Sequence, residues 1–114
     1  MLKTINIKED MPSVEDARKR LLREIQQAKN AGVKALKVIH GYGSTGKGGA
    51  LRDALRKSLL RRKKEGVISN YVYGEKWSIF EPDVRAILEI CPQLRSDPDL
   101  DRCNEGVTIV LVRK

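Results

Sequence analysis

A glycine-rich stretch holds the residues of this chain whose types and spacing could do chemistry. Residues 38–52 read VIHGYGSTGKGGALR, with five glycines, a lysine and the only histidine of the chain, His40. Successive glycine N–H groups can point at an anion, and a following helix N-terminus adds a favourable dipole. The stretch is therefore a candidate phosphate-binding or catalytic loop.

Part of this stretch fits a nucleotide-phosphate loop, because Gly41 to Lys47 match the pattern G-x-x-x-x-G-K. However, Gly48 stands where that loop needs a Ser or Thr hydroxyl for magnesium, and no strand ends in the second acid required. We therefore expect no ATP or GTP hydrolysis. Two interpretations remain, a loop that binds a phosphate of a nucleic-acid backbone and a flexible basic turn.

The net charge of +8 is concentrated directly after the glycine stretch. From Lys47 to Lys64 there are eight basic residues and one acid, a charge of +7, whereas the rest of the chain holds 15 basic and 14 acidic residues, a charge of +1. Clustered cations displace condensed counterions from a phosphate backbone, so this segment favours DNA or RNA over a merely solvated basic face. The side chains predicted to contact phosphates are Lys47, Arg52, Arg56 and Lys57. The loop residues predicted to bind with them are Gly41, Tyr42 and Gly43.

Composition favours few other functions. Cys91 and Cys103 are too few for a disulfide framework or a cysteine-rich zinc site, and the lone histidine completes no metal-ligand spacing. We therefore predict no metal site. No apolar run approaches the ~20 residues of a membrane span, and no signal-peptide pattern opens the chain. We expect one cytoplasmic domain over residues 1–114, with its oligomeric state open.

Hydrophobic periodicity predicts the elements that must position the glycine stretch. We predict strands at residues 4–7, 33–40, 67–73 and 107–112 and helices at 13–31 and 49–65. Ser13 is predicted to cap the first helix, with Asp16 three residues on. The last strand is a nearly continuous run of β-branched residues, typical of a central strand buried on both faces. The order β-α-β-α-β-β predicts an α/β (α+β) two-layer sandwich with a four-stranded mixed sheet, whose first two strands are parallel.

Residues 74–105 form an insert between the last two strands that is too long for a plain hairpin loop. Ser78 and Glu81 could cap a short helix that has Pro82 in its first turn. Trp77 and Phe80 are predicted to anchor the insert to the core, and the weaker alternative is that they are platforms on which bases stack. A weaker alternative is that the insert makes the chain a protein-interaction module.

The glycine stretch also resembles a known family. VIHGYG at residues 38–43 and GALR at 49–52 resemble the V-I-H-G-x-G…G-x-L-R signature of Smr domains, the small MutS-related domains. SVEDA at 13–17 resembles the opening of their first helix, and GVTIV at 106–110 resembles their closing strand. Their fold has the element order predicted above, and it resembles the C-terminal domain of translation initiation factor three.

This resemblance implies a nucleic-acid partner, because family members bind DNA or RNA and several cut it. By resemblance, the nucleic-acid-facing residues are His40, Gly41 and Gly43, with Arg52 on the flank. Family nucleases usually carry L-D-L-H-G at the end of the first strand, where this chain has Asn6 and Lys8. Glu9 and Asp10 lie close by and could substitute, but nothing in the sequence shows that they do. Binding is therefore favoured. The alternative is a nicking endonuclease of DNA repair, recombination or RNA processing, with or without Mg²⁺ or Mn²⁺.

In that alternative His40 is the candidate catalytic residue, since a side chain with an ordinary pKa near ~6.5 can move a proton or hold a phosphate. A structural role, in which His40 holds the loop by hydrogen bonds, is the other interpretation. The sequence supplies no base, nucleophile or metal ligand beside this histidine that would decide between them.

Overall fold

The computed structural model describes residues 2–8, 13–41 and 46–113. Its strands are β1 (Leu2–Asn6), β2 (Ala35–Ile39), β3 (Asn70–Tyr73) and β4 (Val107–Leu111). Its α-helices are α1 (Val14–Ala31), α2 (Gly46–Lys64) and α3 (Pro82–Ile90). The predicted order β-α-β-α-β-β is confirmed, with α3 inside the insert. Among these helices none is long and apolar enough to cross a bilayer.

The four strands form one mixed sheet in the order β1-β2-β4-β3. β1 and β2 are parallel, as the helix between them predicts, and β4 is antiparallel to both β2 and β3. All five residues of β4 are buried, which confirms the prediction of a central strand. β3 is shorter than predicted, because Gly66 ends α2 in the left-handed region with φ 78° and the chain turns until Asn70.

Helices α1 and α2 cover one face of this sheet. The Ser13 hydroxyl accepts the N–H of Asp16 at 3.1 Å, so the predicted cap of α1 is confirmed. Helix α2 begins at Gly46, earlier than the predicted residue 49. Glycine destabilises the interior of a helix, but glycines are tolerated in the first turn of a helix because few side chains pack there. The apolar side chains of this layer pack on Leu36, Val38 and Val110 of the sheet.

The insert covers the opposite face. Val84 and Ile87 of α3 pack with Trp77 against Ile109 and Leu111 of β4. The predicted two-layer arrangement thus describes the sheet with α1 and α2, and the insert adds a third layer. This layer is needed because β4 carries apolar side chains on both faces.

Two details of the insert differ from the prediction. Trp77 is fully buried and anchors the insert as expected, but Phe80 is 83% exposed, so its predicted anchoring role is wrong. Phe80 lies in a turn where the Ser78 hydroxyl accepts its N–H at 3.3 Å. The helix cap is Glu81 rather than Ser78, and its side chain makes no capping bond. An aromatic residue type predicts burial only on average, and here the turn decides the direction of the side chain.

Tight packing joins the start of the insert to its end. A β-carbon added at Gly74 would lie 1.7 Å from the carbonyl oxygen of Asn104, so only glycine fits at this position. The indole N–H of Trp77 donates to Asp97 at 3.0 Å, and the Asn104 amide donates to Asp99 at 2.8 Å. These bonds hold the carboxylates of Asp97 and Asp99 at the face of the sheet that the insert covers.

Between these carboxylates lies the ammonium group of Lys37, a buried residue of β2. Its nitrogen is 2.6 Å from an oxygen of Asp97 and 2.5 Å from one of Asp99. Burial by itself lowers the pKa of Lys37, but the hydrogen bonds and charges of the two carboxylates outweigh it and raise the pKa. Hydrogen bonds from Asn104 and then from Lys37 hold the pKa of Asp99 below its usual value.

The substitution Lys37→Met removes the ammonium group that Asp97 and Asp99 share. We expect it to lower the free energy of unfolding by ~3–5 kcal/mol, since both carboxylates lose their charge partner under the sheet. Urea unfolding monitored by circular dichroism measures this change. Lys34→Met, at an exposed neighbouring position, should change the same quantity by less than ~0.5 kcal/mol. Equal losses in the two variants would contradict the expectation.

Candidate functional site

The predicted site lies at the end of β2. His40 and Gly41 follow this strand, and both of their N–H groups donate to the carbonyl oxygen of Gly106, at 2.9 and 3.0 Å. Gly106 directly precedes β4, so this carbonyl ties the glycine stretch to the neighbouring strand. Gly41 has a φ of 83°, in the left-handed region that a residue with a β-carbon adopts only with strain. The local path of the chain therefore requires this glycine.

The imidazole ring of His40 is enclosed, with only 2% of the residue exposed. Nδ1 lies 3.0 Å from the carbonyl oxygen of Gly41, and Nε2 lies 2.9 Å from the hydroxyl oxygen of Thr108. Because a carbonyl can only accept, Nδ1 carries the hydrogen and Nε2 accepts the Thr108 hydroxyl. Both ring nitrogens are thus occupied, and no carboxylate within the described residues hydrogen-bonds to the ring.

Electrostatics also favour a neutral His40. Burial lowers its pKa below 6.5, and the positive charges of Arg56 and Arg52 act in the same direction. The hydrogen bond to Gly41 and the charge of Glu75 raise the pKa but do not outweigh these effects. This geometry supports the structural role that the sequence left open, a neutral ring that holds the glycine stretch against β4. The catalytic role of His40 remains an untested prediction.

The end of β1 adjoins the same loop, because β1 pairs with β2 and Asn6 lies opposite Ile39. The N–H of Lys8 donates to the Asn6 side chain at 3.1 Å. The Lys8 side chain also packs on Gly41, where an added β-carbon would be 3.4 Å from its Cδ. The two positions that the family resemblance aligns with the acid and histidine of nucleases thus lie beside the loop. Here they supply an amide and an ammonium group.

Two arginines of α2 also lie near the end of β2, since the charges of both act on His40. Arg56 donates to both oxygens of Glu75, at 2.6 and 2.9 Å, and its guanidinium stacks over the Tyr73 ring at 4.0 Å from the centroid. Arg52 lies one turn earlier and is partly exposed, with its Nε 3.8 Å from a carboxylate oxygen of Asp53. The structure therefore brings Arg52 and Arg56 to the predicted site.

Lys57 lies elsewhere, in a groove between helices α1 and α2. The groove is lined by Lys57, Ser58, Arg61 and Arg62 of α2 and by Glu15, Arg18, Lys19 and Leu22 of α1. Adjacent helical residues point in directions about 100° apart, so Arg56 and Lys57 cannot share a face. The predicted phosphate contacts thus divide between the end of β2 and this α1–α2 groove.

The remaining predicted residues are only partly described. Lys47 lies in the first turn of α2, and its side chain is outside what the structure describes. Tyr42 and Gly43 are outside the described residues. Within the described ranges, no group of three or more His, Cys, Asp and Glu residues could hold a metal ion.

Three residues of this site were not predicted from the sequence. Lys8 is not among them, because the family resemblance names its position beside Asn6. Glu75, Thr108 and Gly106 had no such signal. Their roles depend on β4 lying between β2 and β3, which no local pattern states.

His40 is expected to make the protein less stable in weak acid. Its folded pKa lies below 6.5, so the unfolded chain binds a proton first as the pH falls. The contribution of the neutral His40 ring to the free energy of unfolding is therefore complete above pH ~6.5. It declines as the pH falls toward the lowered pKa. Urea midpoints measured from pH 8 to 5 should show this decline in the wild type and lack it in His40→Gln. No other histidine titrates in this window, and an equal decline in both proteins would contradict the prediction.

Comparisons with known proteins agree with this fold. A family model described as the Smr domain matches residues 10–78, which include α1, β2, the glycine stretch, α2 and β3. A solved structure, the Smr domain of Thermus thermophilus MutS2, is similar with a TM-score of 0.61 and 21% identity. The similarity covers 98% of this chain and 99% of that one. No curated protein sequence matches significantly. Since the family model spans more than half of the sequence, the chain belongs to the Smr domain family.

Proposed function

We propose that this chain binds DNA or RNA through the phosphate backbone, at the end of β2 and along α2. The observation that carries the proposal is the charge of +7 between Lys47 and Lys64, because the whole of that segment lies in the single helix α2. Membership of the Smr family supports it, as these domains are known as nucleic-acid-binding and nicking domains. Binding of this type depends on charge more than on base sequence.

Side chains and backbone would share the phosphate contacts. The N–H groups of His40 and Gly41 are occupied by Gly106, so they are not free to hold a phosphate as the glycine pattern suggested. The N-terminus of α2 replaces them, since the first turn of a helix leaves its N–H groups unpaired within the helix. Lys8, which packs on Gly41, and Arg52 of α2 would add positive charge.

Salt dependence tests the proposal. We expect affinity for a DNA or RNA hairpin to fall steeply between about 50 and 200 mM salt, because bound cations release counterions from the backbone. Replacing Lys47, Arg52, Arg56 and Lys57 with alanine should weaken binding and reduce the salt slope by about one for each lost phosphate contact. Fluorescence anisotropy measures both quantities.

The matched control for these replacements lies in the insert, where Arg95 is exposed on the opposite side of the sheet. Arg95→Ala should leave the salt slope within error of the wild type. Affinity that barely changes with salt, or that survives the fourfold replacement, would overturn the proposed function.

Glu75 limits the charge that Arg56 can offer, because both carboxylate oxygens accept from the same guanidinium nitrogen. Glu75→Gln should therefore tighten hairpin binding by about two- to tenfold, as an ion pair with Arg56 is replaced by a weaker neutral hydrogen bond. Anisotropy titrations at one fixed salt concentration measure the change.

Glu65→Gln separates this local effect from net charge. Glu65 pairs with Arg61 and Arg62 at the far end of α2. Glu65→Gln changes the total charge of the chain by the same amount as Glu75→Gln. If Glu65→Gln tightens binding as much as Glu75→Gln does, the pairing of Arg56 is not what limits affinity.

The proposal does not extend to strand cleavage. The ring of His40 is buried and both of its nitrogens are occupied. The described end of β1 carries the amide of Asn6 and the ammonium of Lys8, neither of which replaces a carboxylate as general base or metal ligand. The geometry of these residues supports holding a nucleic acid rather than cutting it.

A further inference from the structure

The open edge of the sheet, at β3, carries a pocket that the phosphate site does not use. It is lined by Tyr71, Val72 and Tyr73 of β3 and by Lys76, Glu81 and Asp83 of the insert, and we call it the β3-edge pocket. Its volume is about 270 Å³. Pockets for drug-sized ligands measure about 300–1,000 Å³, so this one is sized for a single ring system.

Two tyrosines form the side of the pocket nearer α2, and two cations of that helix lie over their rings. The ring centroids of Tyr71 and Tyr73 are 5.5 Å apart, and the rings are tilted by 37°. Arg56 stacks over the Tyr73 ring at 4.0 Å, and the Lys63 nitrogen lies 5.8 Å from the centre of the Tyr71 ring. Partly exposed tyrosines bordered by cations are the combination with which proteins hold an unpaired base and its phosphate.

Carboxylates form the opposite side, at the start of α3. Glu81 is the N-cap residue of this helix but its side chain makes no capping bond. The Glu81 and Asp83 carboxylates form no ion pair with another described residue. A carboxylate accepts a hydrogen bond from the exocyclic amino group of cytosine or adenine, whereas thymine and uracil present an oxygen there.

We propose that the β3-edge pocket holds one unpaired cytosine or adenine base of a nucleic acid whose backbone lies on α2. The base contacts the tyrosine pair, its amino group faces Glu81 and Asp83, and its phosphate faces Arg56 and Lys63. This inference rests on the proposed function and adds a property to it. The preferred target is a nucleic acid with an extrahelical or single-stranded base.

The test compares hairpins that differ only in one bulged nucleotide, as DNA and as RNA, by fluorescence anisotropy with the wild-type chain. A bulged cytosine or adenine should bind at least about fivefold more tightly than the fully paired hairpin, because one stacked base contributes that much. A bulged thymine or uracil should gain less. Equal affinity for bulged and paired hairpins overturns this inference alone, whereas failure to bind any hairpin overturns the proposed function as well.

Substitutions locate the base. The measured quantity is the affinity for the cytosine bulge divided by that for the paired hairpin. This ratio should fall to about one in Tyr71→Leu and stay at the wild-type value in Tyr71→Phe, which keeps the ring. Replacing both Glu81 and Asp83 with alanine should keep the advantage of a bulge but lose the preference for cytosine over thymine.

Phe80 provides the control, since it is the most exposed large apolar residue described and does not line the pocket. The ratio should be unchanged in Phe80→Ser. A ratio that falls in Phe80→Ser but not in Tyr71→Leu would show that the base lies on the exposed phenylalanine, and the proposed pocket would be wrong.

Discussion

Pairing of β2 with β4 at the centre of the sheet is the interaction on which the rest of this structure depends. Four of the five residues of β2 and all five of β4 are buried, so both faces of this pair need cover. Helices α1 and α2 cover one face and the insert covers the other. The same pairing places Gly106 and Thr108 beside His40, so the path of the glycine stretch follows from it.

Lys37 on β2 and His40 at the end of β2 are both buried, and the groups around each side chain decide whether it is charged. Lys37 meets two carboxylates, which stabilise its ammonium group despite burial. His40 meets a carbonyl and a hydroxyl, and its charged neighbours Arg52 and Arg56 are positive, so the neutral ring is favoured. The Lys37 ammonium group joins the sheet to the insert by ion pairs, whereas the neutral His40 ring joins the end of β2 to β4 by a hydrogen bond.

The insert is more than a cover for the sheet. Its first residues include Glu75, which holds Arg56, and Trp77, which enters the core and donates to Asp97. Within three residues, the insert therefore orients Arg56 at the proposed phosphate site and packs the third layer against the sheet. This connection explains how a segment on the far face of the sheet can influence a surface on the near side.

The sequence by itself determined the helices and strands, the cap at Ser13, the parallel pair and the basic character of α2. These properties depend on residues close together in the chain, where periodicity and charge are directly visible. The family motif was visible for the same reason. Only the tertiary structure decided that Trp77 is buried while Phe80 is exposed, that Arg56 is held by Glu75, and that His40 bonds to Thr108. These contacts join residues up to 68 positions apart, and strand order and register, which no local pattern encodes, bring them together.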